Sequence, residues 1–204
     1  MRFFDGSPLL APNKSVSSAQ PAESPAASAR VPRFEDVYRD ERDYLWRTLR
    51  RLGVEERHLE DVAHDVLVVV HRKLVDYDPS RPLRPWLFGI STRVASDFRR
   101  RASNVHETPR EDVERVDESA GSESAGSGRP DRMLEEAERR ALVYRALSAL
   151  DEDRRAVFIL HEIDGETIPV VADALSIPVN TAYSRLRLAR EEFAAQVRRI
   201  GGKS

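Results

Sequence analysis

From Ser103 to Pro130 the chain reads SNVHETPREDVERVDESAGSESAGSGRP. Seven acids (Glu107, Glu111, Asp112, Glu114, Asp117, Glu118, Glu123) stand against three arginines (Arg110, Arg115, Arg129), and Ser, Gly and Ala fill much of the rest. Such a stretch buries too little apolar surface to offset the entropy of ordering its backbone. A flexible acidic linker of the Gly/Ser kind is therefore expected over 103–131. It divides the chain into two blocks of roughly 70 residues each, near the lower size limit for a domain with its own core. Positions 1–32, rich in Pro, Ser and Ala without a sustained period, are read as a disordered tail.

Both blocks carry helical periodicity. Phe34, Val37, Tyr44, Leu45, Leu49 and Leu52 recur at three-four spacing until Gly53. Leu59, Val62, Ala63, Val66, Val69, Val70 and Leu74 mark a second amphipathic helix. The proline-rich turn DYDPSRPLRP follows, and a third helix is expected to start near Pro85 with Leu87, Ile90, Val94 and Phe98 on one face. In the second block Leu134, Ala137, Ala141, Leu142 and Leu150 form a stripe. Asp151 can cap the next helix, and Gly165 breaks it. Thr167 can cap a short helix over about 168–175, and Pro178 opens the last one, to about 198. Two helices across a tight turn, the second of them basic, make a helix-turn-helix pattern. The fold class expected is all-α: two small helical domains on a flexible acidic linker, at 33–102 and 132–200.

Charge is distributed unevenly within a chain of net charge −2. Residues 81–101 hold six arginines (Arg81, Arg84, Arg93, Arg99, Arg100, Arg101) against Asp97, and residues 178–204 hold five arginines and Lys203 against Glu191 and Glu192. Local basic patches of this kind suit a protein that meets polyanions in a set pose. No cysteine is present, which removes disulfides, thiol catalysis and cysteine-ligated zinc. No apolar run approaches the ~18 residues of a membrane span. The opening MRFFDGSPLLAPNKS lacks the apolar core of a signal peptide, so a soluble, cytoplasmic protein without membrane insertion is expected. GGKS at 201–204 resembles the end of a phosphate loop but is followed by no helix, and HEID at 161–164 lacks the second histidine of a zinc-protease motif. His64, Asp65 and His71 make a poor metal set, since the histidines lie two turns apart. No cofactor and no enzymatic activity are expected.

The stretches HLEDVAHDVLVVVHRKL (58–74), RPWLFGISTRVASDFRRR (84–101), ALDEDRRAVFILHEIDG (149–165) and SIPVNTAYSRLRLARE (176–191) together resemble the small two-domain sigma factors of bacterial RNA polymerase, the extracytoplasmic-function type of the sigma-70 family. The likeness covers about 34–101 and 132–195. It implies that the first block is region 2, which binds core RNA polymerase and opens the −10 element. The second is then region 4, which reads the −35 element. The α-helical face of Asp61, His64 and Asp65 becomes the polymerase contact, where carboxylates can pair with arginines of a partner helix. Without the resemblance, the same face reads as a solvated acidic one.

The resemblance places a pocket for one flipped base at Asp78, Ser80, Arg81, Arg84 and Trp86. Arg93, Arg99, Arg100 and Arg101 follow as backbone contacts, in keeping with how single strands are held by aromatic and basic surfaces. Trp86 itself reads as core before it reads as a stacking platform. Arg93 stands where the family often has Asn. In the last helix Asn180, Thr181, Tyr183, Ser184, Arg185, Arg187 and Arg190 are candidates for the −35 element, because Arg reads guanine, Asn reads adenine, and Ser and Thr adapt. Arg185 and Arg190 can serve instead on phosphates. The family usually has Gly at the Ser176 position, an acidic pair at Pro169 and Val170, and Lys or Arg at Tyr183. An anti-sigma factor is a further partner the resemblance suggests. Two other functions stay open on sequence alone: a decoy that binds an anti-sigma factor without touching DNA, and a free-standing helix-turn-helix regulator.

Overall fold

The computed structural model describes residues 30–105 and 130–201. The expected tail and linker, and the GGKS terminus, lie outside the described residues except at their edges. Helix reaches into those edges, since the third helix runs to Val105 and the fourth starts at Pro130.

Helix α1, Phe34–Arg51, opens with Glu35 and Asp36 and closes with Arg50 and Arg51, a charge order that suits the helix dipole. It buries Val37, Tyr44, Leu45, Thr48 and Leu49. Gly53, at φ 91°, turns the chain after it. Helix α2, Leu59–Lys73, buries Leu59, Val62, Ala63, Val66 and Val70 on one stripe. Helix α3, Leu83–Val105, starts two residues before the expected Pro85. Its Leu87, Phe88, Ile90 and Ala95 are buried, whereas Val94 and Phe98 are only partly so. Phe88 lies fully inside because α3 packs on α1 and α2 and also on a helix of the second block, so more than one of its faces is covered.

Helix α4, Pro130–Ser148, leads to α5, Glu152–Phe158, where the Asp151 carboxylate accepts from the Arg154 amide at 3.0 Å. The cap read from sequence is thus in place. The helix then widens into a π-turn, Ile159–Ile163, and ends at Gly165, φ 79°. Helix α6, Ile168–Leu175, follows Thr167, whose side chain makes no capping bond. Pro169 sits in its first turn, where a missing N–H costs nothing. Helix α7 is Val179–Gly201. No strand occurs among the described residues, and the chain is all-α as expected. The buried apolar side chains of both blocks join in one cluster, from Leu49 and Val66 through Phe88 to Leu160 and Leu186. Each such fully buried side chain stabilises by about 1.5–3 kcal/mol relative to exposure.

Ser176, between α6 and α7, adopts φ 57°, ψ 45°, and is the sole non-glycine residue with positive φ among the described residues. A Cβ in that region is sterically disfavoured. The Ser176→Gly variant is expected to be more stable by about 0.5–1 kcal/mol, seen as a rise of ~1–4 °C in Tm.

Candidate polymerase and nucleic-acid interfaces

On α2, burial and exposure alternate with the helical period. Val62, Ala63, Val66 and Val70 are inside, which leaves Asp61, His64 and Asp65 exposed on the far side. Two open grooves flank that face. One is lined by Phe34, Tyr38, His64, Leu67, Val68, His71 and Arg72. The other runs between α2 and α3, from Asp65 and Val69 to Asp97, Arg100 and Arg101. Asp65 lies 3.6 Å from the Arg101 guanidinium, an exposed pair. An apolar groove beside fixed carboxylates is a surface that a partner helix with arginines can fit.

The loop before α3 is tightly built. Asp78 accepts from the Ser80 amide at 2.9 Å and the Ser80 hydroxyl at 2.7 Å. These bonds hold its carboxyl below the usual carboxylate range. The Arg81 amide closes the turn on the Asp78 carbonyl at 3.1 Å, and Tyr77 donates its hydroxyl to the Arg81 carbonyl. The ring of Tyr77 lies 4.9 Å from that of Trp86. Trp86 is half-buried and leans on the core, so of its two readings the packing one describes most of its surface.

The basic residues of this block divide by partner. Arg84 donates to Glu41 at 2.9 Å and stacks its guanidinium 5.2 Å above the Tyr44 ring. Arg100 pairs with Asp97. Arg81, Arg93 and Arg99 reach instead to the second block: Arg81 to Asp173 at 2.9 Å, Arg93 to the Ser176 hydroxyl at 3.4 Å, and Arg99 to Glu152. The Arg99 bond, with the Ser96 hydroxyl beside it, holds the Glu152 carboxyl below its ordinary value.

Helix α7 buries Ala182, Leu186 and Ala189 and turns Asn180, Tyr183, Ser184 and Arg187 outward. Thr181 is half-buried and accepts through its carbonyl from Ser184 at 3.0 Å. Arg185 and Arg190 are anchored beside the site, to Asp153 and Glu162 respectively, so they stand further from bare solvent than Arg187, whose partner Glu191 is on its own helix at 2.8 Å. Val179 and Tyr183 are exposed apolar groups at the start of the helix, 42 % and 56 % accessible. The result is an outward strip of amide, phenol, hydroxyl and guanidinium on the second helix of a helix-turn-helix, suited to base edges in a major groove.

Sequence reasoning missed the residues that join the blocks. Arg155 is buried at 8 % exposure and donates to the carbonyls of Leu52 (2.8 Å), Ser148 (3.0 Å) and Leu150 (2.8 Å). Burial, with Arg99 nearby, lowers its pKa. Arg99 donates to the same Leu52 carbonyl at 2.8 Å. Tyr44 donates to Asp164 at 2.8 Å, with Arg51 at 3.4 Å. Burial raises the Asp164 carboxyl and the Tyr44 hydroxyl, against the opposing pull of Arg51 and Arg84 on Asp164. No pattern of spacing signals such long-range partners. Among the described residues no cluster of metal-ligating side chains occurs, and no helix is long and apolar enough to cross a membrane.

Known proteins resemble both blocks. The family model described as Sigma-70 region 2 matches residues 37–105, and that described as Sigma-70, region 4 matches 134–193. The RNA polymerase sigma factor CnrH of Cupriavidus metallidurans is 29 % identical over 152 residues, 74 % of this chain and 79 % of CnrH. The ECF RNA polymerase sigma-E factor of Escherichia coli is 27 % identical over 141 residues, 67 % of this chain and 72 % of that protein. The solved structure of CnrH with the cytosolic domain of CnrY superposes with a TM-score of 0.53 at 26 % identity, covering 79 % of this chain and 85 % of the other. That of the sigma factor RpoE with the anti-sigma factor NepR from Bartonella quintana gives 0.55 at 21 % identity, covering 80 % and 98 %.

Proposed function

Since the chain belongs to the sigma-70 family, as a sigma factor of the extracytoplasmic-function type, we propose that α1–α3 and α4–α7 are its region 2 and region 4 domains and that the exposed strips described above are their working surfaces. The protein binds core RNA polymerase and directs it to promoters, where transcription starts. On this reading Asp61, His64 and Asp65 dock on the polymerase. Arg93, Arg99, Arg100 and Arg101 track the −10 strand, with Asp78, Ser80, Arg81, Arg84 and Trp86 shaping a base pocket. Asn180, Tyr183, Ser184 and Arg187 read the −35 element, and Thr181, Arg185 and Arg190 position that helix or meet phosphates. The chain has no chemistry of its own; it lends specificity to the polymerase, in the cytoplasm. By likeness to RpoE with NepR, an anti-sigma factor is its expected regulator.

The observation that carries this reading is the pairing of two outward faces. One is an acidic strip on α2, and the other is a polar-basic strip on the second helix of a helix-turn-helix. A free-standing regulator has no use for the first. The test is reconstitution with core polymerase on genomic DNA fragments, scored by permanganate reactivity of unpaired thymines. A fragment opened only when both proteins are present supports the reading; none opened, with the complex formed, sinks it. On that promoter, Arg187→Ala is expected to weaken holoenzyme binding by about 1–3 kcal/mol if it meets a base. Competition against −35 point variants then shows relaxed preference at one position. A uniform loss across all sequences would make it a phosphate contact.

A further inference from the structure

Among the described residues five large hydrophobic side chains stand exposed, and two of them, Val179 and Tyr183, lie one turn apart at the start of α7. With Arg187 they follow at four-residue spacing and so share one ridge of the helix. Asn180 and Ser184 make the ridge beside it. The inner stripe of Ala182, Leu186 and Ala189 already packs α7 onto its own block. Nor does the seam between the two blocks cover the pair: it runs where Arg81 meets Asp173 and where Arg155 meets the Leu52 carbonyl. Among the described residues the side chains of Asn180 and Tyr183 make no hydrogen bond within the chain. The start of α7 thus presents an aliphatic and an aromatic surface to water, beside an unengaged amide.

In a major groove thymine alone carries an apolar group on its edge, the C5 methyl. A polar side chain gains nothing from covering that methyl, whereas an apolar one removes both surfaces from water. Four residues of helix rise about 6 Å, against about 3.4 Å for a base step. Val179 and Tyr183 therefore reach over about two steps of the groove.

We propose that Val179 and Tyr183 select thymine: their ridge clasps the C5 methyl of one or two thymines within two base steps of the −35 element, next to the bases that Asn180 and Arg187 read. The proposal rests on the reading of α7 as the −35 helix. It adds Val179 to the residues that set promoter choice, and it gives Tyr183 an apolar role there.

The test uses the promoter fragment that holoenzyme opens. Each upstream thymine, on either strand, is replaced in turn by deoxyuridine, which keeps the pairing edge and removes the methyl alone. Holoenzyme with the parent chain is expected to bind about fourfold more weakly for each contacted methyl removed, at one or two positions within two base steps. Holoenzyme carrying Val179→Ser with Tyr183→Ser is expected to bind the thymine and uracil forms alike. Tyr183→Phe is expected to keep the preference, because the ring remains. Tyr183→Lys is expected to lose the ring's share of it while attraction to phosphate supports overall affinity, so that loss of preference is seen apart from loss of binding. Circular dichroism and co-elution with core polymerase check that each variant folds.

Equal binding of the thymine and uracil forms at every position by the parent overturns the ridge. So does a preference that the double serine variant retains in full. Failure of the underlying reading shows separately: holoenzyme then opens no fragment, or opens one whose upstream DNA can be deleted without effect, and the ridge falls with it.

Discussion

Replacing Asp61 and Asp65 with arginine is expected to cost the chain at least a hundredfold in affinity for core polymerase, about 2.8 kcal/mol. Both side chains are exposed, and among the described residues the cross-helix contact involved is the 3.6 Å pair of Asp65 with Arg101. An exposed pair contributes at most about 1 kcal/mol, and loss of an acid from the first turn of α2 costs a similar amount or less. Folding therefore changes little. At the interface, two attractions become two repulsions, each costing several kcal/mol where water is excluded. Sizing-column co-elution and a titration by fluorescence anisotropy measure the loss, and circular dichroism checks the helix content. A variant that still binds within threefold of the parent would move the docking face elsewhere on the molecule.

Arg155→Ala is expected to be the most destabilising single change at the seam, by about 2–4 kcal/mol in urea unfolding of the chain alone. Its guanidinium fills donor needs for three carbonyls, of which Ser148 and Leu150 have no second arginine on them. The buried Leu150 carbonyl left without a donor costs about 1–3 kcal/mol, and the part-buried Ser148 carbonyl less, offset by release of a buried cation to water. Leu52 keeps Arg99, so its share of the loss is smaller. Arg155→Lys should restore less than half of the deficit, because a single ammonium lacks the planar fork that spans separate acceptors. A lysine variant as stable as the parent would show that charge, not the fork, is what the site requires.

The helical architecture was legible because it rests on local rules. Spacing of Val62, Ala63, Val66 and Val70 fixed the inner face of α2, and with it the outward placement of Asp61, His64 and Asp65. Gly53 and Gly165 marked turns that do take positive φ. Asp151 capped as its chemistry suggests. Ser176, where the family usually has Gly, adopts the left-handed conformation. What escaped was of two kinds. The π-turn at Ile159–Ile163 widens the helix by one residue, a shift too small for periodicity to show. The partners of Arg81, Arg93, Arg99 and Arg155 depend on how two blocks approach, and nothing in the spacing of either block encodes that approach. Hence the arginines were readable as basic, but their occupancy by Asp173, Ser176 and Glu152 was not.

The exposed character of the seam's ion pairs has a consequence for the medium in which the chain works. Arg81 and Asp173 are each 54 % accessible, and Glu152 is 46 % accessible. Pairs so open weaken as the screening length shrinks from about 8 Å at physiological salt toward about 3 Å at 1 M. Salt also weakens the grip of arginine on DNA, through the release of condensed counterions. On the proposed reading of Arg81 and Arg99 as promoter contacts, one ion acts on two equilibria, the closeness of the seam and the hold on DNA. Added salt is then expected to lower the stability of the free chain and its promoter affinity together, through the same arginines.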